Sequence, residues 1–202
     1  MVSDGVRAFV ELAAGERQLA SWLDGFMATT LRRRARSQPL LVEATPGAGK
    51  TTAIAEAVLT HFREGHVFHV MLPTLEKAQE LANDMNARAE ARRRSVPLRV
   101  IRGRSAVDPT TIQAADGEPH ALNMCRRAEV AGKYARCFGG VQDGLCHPLR
   151  RAPCPFAEDC PYQLQLDEIR RQPSALYISA NNYFFSRGTV PKPDIVIVDE
   201  DI

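Results

Sequence analysis

The chain has 202 residues, 45% apolar and 25% charged, with a formal net charge of +2. At roughly 150 residues per domain this is about 1.3 domains, one domain with a substantial insertion, and enough chain to bury a core unaided. The composition excludes a wholly disordered chain, no apolar run approaches the roughly 18 residues of a membrane helix, and Met1–Arg7 lacks a secretory pattern.

A cytoplasmic protein with no membrane partner is expected. Its five cysteines then read as thiols or metal ligands, not as a disulfide framework. In chain order, Leu19, Trp22, Leu23, Phe26, Met27, Thr30 and Leu31 recur at helical spacing, and Arg32, Arg33, Arg34 and Arg36 suit a helix C-terminus. A strand over Pro39–Ala44 leads through a Gly-rich turn to a helix over Lys50–Glu64, stopped by Gly65. Next come a strand at Val67–Leu72, a helix at Leu75–Arg94 and a strand at Leu98–Ile101. From Gly103 to Pro161 periodicity fades, and all five cysteines fall there. A helix at Tyr162–Arg171 and strands at Ala175–Ser179 and Asp194–Val198 restore the pattern. Alternating strands and helices predict an α/β fold, a parallel sheet with helices on both faces. The expected division is 1–103, an inserted 104–161, and a return to the core over 162–202.

The charge is uneven. Residues 1–87 carry −1, residues 88–151 carry +7 and residues 152–202 carry −4. Arg outnumbers Lys 22 to 4, and Arg is the better bidentate phosphate partner. The basic middle segment is what a nucleic-acid-facing region looks like.

Ala44-Thr45-Pro46-Gly47-Ala48-Gly49-Lys50-Thr51 lies between a predicted strand and a predicted helix, the setting of a P-loop. Its glycines let backbone N–H groups turn toward phosphates, and the helix N-terminus favours the same anions. Lys50 reaches the β- and γ-phosphates, and Thr51 offers its hydroxyl to Mg²⁺. Ile195-Val196-Ile197-Val198-Asp199-Glu200 supplies the acidic partner. Asp199 holds Mg²⁺, and Glu200 is the general base for the attacking water.

Cys125, Cys137, Cys146, Cys154 and Cys160 crowd the irregular segment. Thiolates select zinc or iron–sulfur clusters, and four of them would tie down a loop-rich insert. Five exceed four ligands, and Cys137 is the expected bystander. His120 and His147 could supplement a zinc site.

With these residues in place, the chain resembles the XPD/DinG family of iron–sulfur superfamily 2 DNA helicases. Arg17-Gln18 is similar to the element that reads adenine, and Glu43 through Thr52 to motif I. Leu72-Pro73-Thr74 with Gln79 is similar to motif Ia, which touches DNA. Arg102-Gly103-Arg104-Ser105 is similar to the segment before the first cluster cysteine. Cys125, Cys146, Cys154 and Cys160 match the four-cysteine order, the stretch Ile178–Tyr183 precedes motif II, and Asp199-Glu200 matches motif II itself.

The resemblance implies a RecA-like P-loop ATPase that uses ATP, Mg²⁺ and a 4Fe-4S cluster. Its nucleotide-binding residues would be Gln18, Thr45, Pro46, Gly47, Ala48, Gly49, Lys50, Thr51 and Thr52. Its DNA contacts would come from Pro73, Thr74, Arg102 and Arg104, on single-stranded or fork DNA, with 5′-to-3′ unwinding.

Three departures stand out. About 20 residues separate Ser105 from Cys125 where the family keeps them close. Asp201-Ile202 stands where Ala-His is usual, and Asn182 stands where His is frequent. The chain ends at Ile202, so a second RecA-like domain is expected from a missing C-terminal part or another chain. By itself the chain is expected to hydrolyse ATP slowly or not at all. The competing expectation is an ATP- and DNA-binding regulator with a structural Zn²⁺ site.

Overall fold

The computed structural model describes residues 6–10, 15–33, 40–44, 49–111, 122–147, 152–172, 174–182 and 190–199. Two compact units divide the chain. The first comprises Met1–Val100 and Pro173–Ile202, and the second Ile101–Gln172.

The first unit follows the sequence pattern closely. Its elements are β1 (Val6–Val10), α1 (Gly15–Arg33), β2 (Leu40–Ala44), α2 (Lys50–His61), β3 (Val67–Leu72), α3 (Leu75–Ala91), β4 (Leu98–Ile101), β5 (Ala175–Ala180) and β6 (Ile195–Val198). β4 runs one residue past Val100, into the second unit. β1, which the sequence did not predict, pairs parallel with β2, Val6 opposite Leu40. The other four strands order as β4-β5-β3-β6. β3 runs parallel to both neighbours, with Val70 opposite Ile178 and Ile197.

β3 is buried at all six positions and β5 at its first five, as a parallel sheet covered on both faces requires. One face, with Phe68, Val70, Leu72, Leu176, Ile178 and Ile195, packs against α1, α2 and α3. Those helices contribute Leu23, Met27, Ala55, Val58, Leu81 and Met85. The three- and four-residue spacing of these side chains makes the segments helical and buries one stripe of each.

Caps fix the helix ends. Thr74 accepts a hydrogen bond from Lys77 N at 3.2 Å, starting α3. Gly65, at φ 89°, makes the left-handed turn between α2 and β3. Across the outer surface Arg88 bridges Glu56 at 2.5 Å and Asp84 at 2.8 Å, and Arg92 also pairs with Glu56.

The second unit holds a 3-10 turn at Pro109–Thr111, α4 (Ala128–Phe138), one turn of π-helix at Gln142–Cys146 and α5 (Pro161–Arg171). The sequence reading did not assign α4. It also placed α5 with the return to the core, whereas the compact unit containing the cysteines extends to Gln172. Apart from Ile169, which is buried, α5 lends Tyr162 and Leu166 to the cluster formed by Met124, Cys125, Ala131, Val141, Cys146 and Cys160. Asp108 is 1% exposed and is held by Arg126 at 2.8 Å and by Thr110 Oγ1 at 2.8 Å. Burial pushes its carboxyl up, but the Thr110 hydrogen bonds and Arg126 outweigh it and hold the pKa below the usual value.

Candidate functional site

In the first unit, Lys50, Thr51, Thr52 and Asp199 come together where α2 begins and β6 ends. Gly49, at φ 72°, is the N-cap of α2 and offers no side chain to its free N–H groups. No acidic residue lies in the first turn, so the helix terminus keeps its positive end for an anion. Lys50 and Thr51 are the first residues of that helix.

Asp199 follows β6, and its backbone N–H donates to Met71 O at 2.9 Å, extending the ladder by one residue. That bond aims the carboxylate at α2. The Thr51 hydroxyl donates to Asp199 Oδ2 at 3.5 Å. A hydroxyl and a carboxylate facing one another are the hard oxygen donors that Mg²⁺ takes from a protein.

Two recesses flank this pair. A cavity of about 160 Å³ is lined by Lys50, Asp199, Ile54 and β6, with α1 residues such as Leu23 and Phe26. A second, of about 370 Å³, is lined by Thr51, Thr52, Pro73, Lys77, Glu80 and Asp199 among others. Gln18 lies exposed on α1. Thr45, Pro46, Gly47, Ala48 and Glu200 lie outside the described residues.

The residues expected to touch DNA fare differently from one another. Pro73 lines the recess beside Asp199. The Thr74 hydroxyl caps α3. Arg102 is half-buried, and burial lowers its pKa while Asp108 opposes the shift. Its backbone N–H and C=O both bond the Gln165 amide, at 2.9 and 3.0 Å. Arg104 lies over the Tyr162 ring, 4.4 Å from its centroid, a cation–π contact.

Four of the five cysteines share one neighbourhood in the second unit. Cys125, Cys146 and Cys160 are buried in its apolar cluster, and Cys154 is half-buried. Cys154 N–H donates to Cys146 O at 3.3 Å, and Cys125 N–H to Arg104 O at 2.9 Å. Burial pushes the Cys146 thiol up. The Arg104 charge opposes this, and Cys125, Cys154 and Cys160 reinforce it. The Cys125 thiol is raised by burial in the same way and again feels Arg104, Cys154 and Cys160. Cys137 is exposed on α4. Among the described residues, no group of three or more His, Cys, Asp or Glu could hold a metal ion.

Sequence reasoning did not find the Arg104–Tyr162 stack, because nothing in a run of basic residues says which ring a guanidinium will cover. It also missed an aromatic pair on α4, Tyr134 with Phe138, although their four-residue spacing was a readable helical signal.

Among the described residues no helix is long and apolar enough to cross a membrane. No curated protein matches the chain. The family profile that matches is that of the UvrD/REP helicase N-terminal domain, over residues 29–124. That span contains Lys50, Thr51, Pro73 and Thr74 but stops before Cys125 and well before Asp199. Over residues 29–124 the chain is similar to the N-terminal domain of superfamily 1 helicases, and this likeness supports a helicase without supporting the iron–sulfur superfamily 2 type.

Proposed function

We propose that this chain is the nucleotide-binding motor portion of an ATP-dependent DNA helicase. The observation that carries the proposal is the Thr51 hydroxyl donating to the Asp199 carboxylate, two side chains 148 residues apart in sequence. Thr51 and Asp199 would hold Mg²⁺. The bound ion would neutralise charge developing on the transferring phosphoryl group. Lys50 neutralises the β- and γ-phosphates from the first turn of α2, and the free N–H groups of that turn orient them. Glu200 accepts the proton of the attacking water. Gln18 reads the adenine edge, and a second RecA-like domain, in the same protein or another chain, supplies the arginine finger. That finger is typically worth about 10³ to 10⁵ in rate, so hydrolysis by these 202 residues alone is slow.

The proposal extends to the second unit, where Cys125, Cys146, Cys154 and Cys160 would hold a 4Fe-4S cluster. The donors fit such a group in kind. They are thiols only, and their charges couple in one neighbourhood. A structural zinc ion would take the same thiols. A bound cluster would supply iron–thiolate bonds joining the segments of Cys125 and Cys154 to the π-helical turn and the start of α5.

The test is equilibrium binding of MgATP. Lys50→Ala removes the charged donor to the phosphates and is expected to weaken binding about 10- to 100-fold, with unchanged circular dichroism. A wild-type chain that binds no MgATP sinks the proposal. Iron and sulfide analysis after anaerobic purification tests the cluster separately, and a colourless, iron-free protein removes that part alone.

A further inference from the structure

The two edges of the four-stranded sheet are built differently. β4, at one edge, carries the exposed Arg99. A charge on an edge strand deters pairing with another chain. β6, at the other edge, reads Ile195-Val196-Ile197-Val198, with no charge and no proline. Val196 and Val198 are each 44% exposed. Among the described residues β6 pairs with β3 alone. An edge strand turns alternate backbone N–H and C=O groups away from its one partner, so β6 offers a row of donors and acceptors on its outer side.

Beside that edge lies the cavity of about 160 Å³ already described. Val196, Ile197 and Val198 form one wall, and Leu23, Phe26 and Met27 of α1 belong to the other. Lys50 and Asp199 line the same cavity. An apolar wall by itself would suit many ligands. An apolar wall that runs along an open backbone edge suits one kind, because a β-strand satisfies the peptide groups and the side chains together. That is β-augmentation, in which main-chain hydrogen bonds give affinity and pockets for alternate side chains give specificity.

The same geometry selects among strands. A second copy would bring its own α1 alongside its own β6, so two such edges would approach each other with a helix beside each. A slender extended segment meets no such obstacle. The wall it meets is aliphatic, so its inward side chains should be apolar and β-branched, as those of β6 are.

We infer that the outer edge of β6 is a docking site for one extended apolar segment of a partner protein, which pairs its backbone with β6 and seats a side chain in the cavity between β6 and α1. The contact stands apart from the proposed motor function, although it lies beside Lys50 and Asp199.

Fluorescence anisotropy of the full chain, without MgATP, tests this with a labelled peptide of alternating valine and threonine flanked by lysines. Binding should slow hydrogen exchange across Ile195–Val198. The same peptide with proline at alternate positions lacks backbone donors. It should bind roughly 10- to 100-fold more weakly, the loss of about two hydrogen bonds. Val196→Lys gives β6 the kind of charge that Arg99 gives β4, and should weaken binding of the first peptide at least about tenfold. Unchanged circular dichroism and unchanged exchange in α3 check that this variant keeps the fold. Equal affinity of wild type for the two peptides overturns the inference. So does exchange across Ile195–Val198 in the free chain as slow as in β3, which would mean that the edge is already covered. Self-association in sedimentation velocity that Val196→Lys abolishes also overturns it, because the occupant is then a second copy. A wild-type chain that binds the peptide but no MgATP would remove the motor assignment and leave the docking edge; the reverse result would remove only the docking edge.

Discussion

The two compact units solve the same problem with different materials. The first buries an uninterrupted apolar cluster drawn from three helices and the strands β3, β5 and β6. The second has a cluster of eight buried residues, three of which are cysteines, around loops and short helices. Burial of apolar area, at about 25 cal/mol per Å², can sustain the first. The second has little such area, its Cys125 and Cys146 thiols carry raised pKa values, and its cysteines form no disulfide. In the proposed reading the cluster is the bond-forming partner of these thiols, and stability there should depend on it.

The strongest way to break this contrast is to remove that partner. A structural metal commonly contributes on the order of 10 kcal/mol to a small domain. Cys146→Ser, or stripping the metal with chelator in air, should therefore open residues 101–172 to protease while the span from α2 through β4 stays protected. Limited proteolysis read by mass spectrometry checks this. If the cysteine unit of the variant resists cleavage as well as the core does, the two units do not differ in the way described here.

Acid provides the opposite experiment, because it strikes the core. His69 is 3% exposed in β3, with Nε2 2.8 Å from Ser179 Oγ. Burial depresses its pKa to about 4, against an unfolded value near 6.5. The folded state holds the ring neutral while the unfolded chain takes up a proton below about 6.5. The stabilisation is fully present above that pH and is lost as pH falls toward 4. A difference of that size corresponds to roughly 3 kcal/mol. The urea midpoint should drop between pH 7 and 4.5, and His69→Leu should flatten the drop. A midpoint with the same pH slope in His69→Leu would show that other groups set the acid sensitivity.

The contrast also explains which features could be read from the sequence. β3 was legible to the residue, because five apolar residues and His69 stand between Gly65-His66 and Pro73. The pairing of Thr51 with Asp199 was legible because the proposed phosphate and magnesium chemistry asks for those residue types at a strand–helix junction and a strand end. β1 was not, since a five-residue strand containing Arg7 declares itself only through pairing with β2. α4 was not read, although Ala128, Ala131, Tyr134 and Phe138 recur at helical spacing, because Gly132 and the surrounding glycines, prolines and cysteines made the segment read as irregular. Arg104 was read as a DNA contact from the family resemblance and the basic segment around it, and its position over Tyr162 depends on a helix that the sequence reading assigned to the other part of the fold.

The smallest effect probes how tightly the second unit packs once formed. Gly144 has no Cβ because the Tyr134 ring occupies its place. In Gly144→Ala the ring must swing aside or the π-helical turn must shift, and inserting a methyl into such a contact typically costs about 1–3 kcal/mol. The first unit lacks the strained neighbourhood and should be unchanged. The expected signature is a lowered unfolding midpoint for the cysteine unit alone, with MgATP affinity unaltered. A joint fall of both units would mean that they unfold as one cooperative body. No change at all would mean that the Tyr134 ring moves aside freely and that the turn around Gly144 is loosely packed.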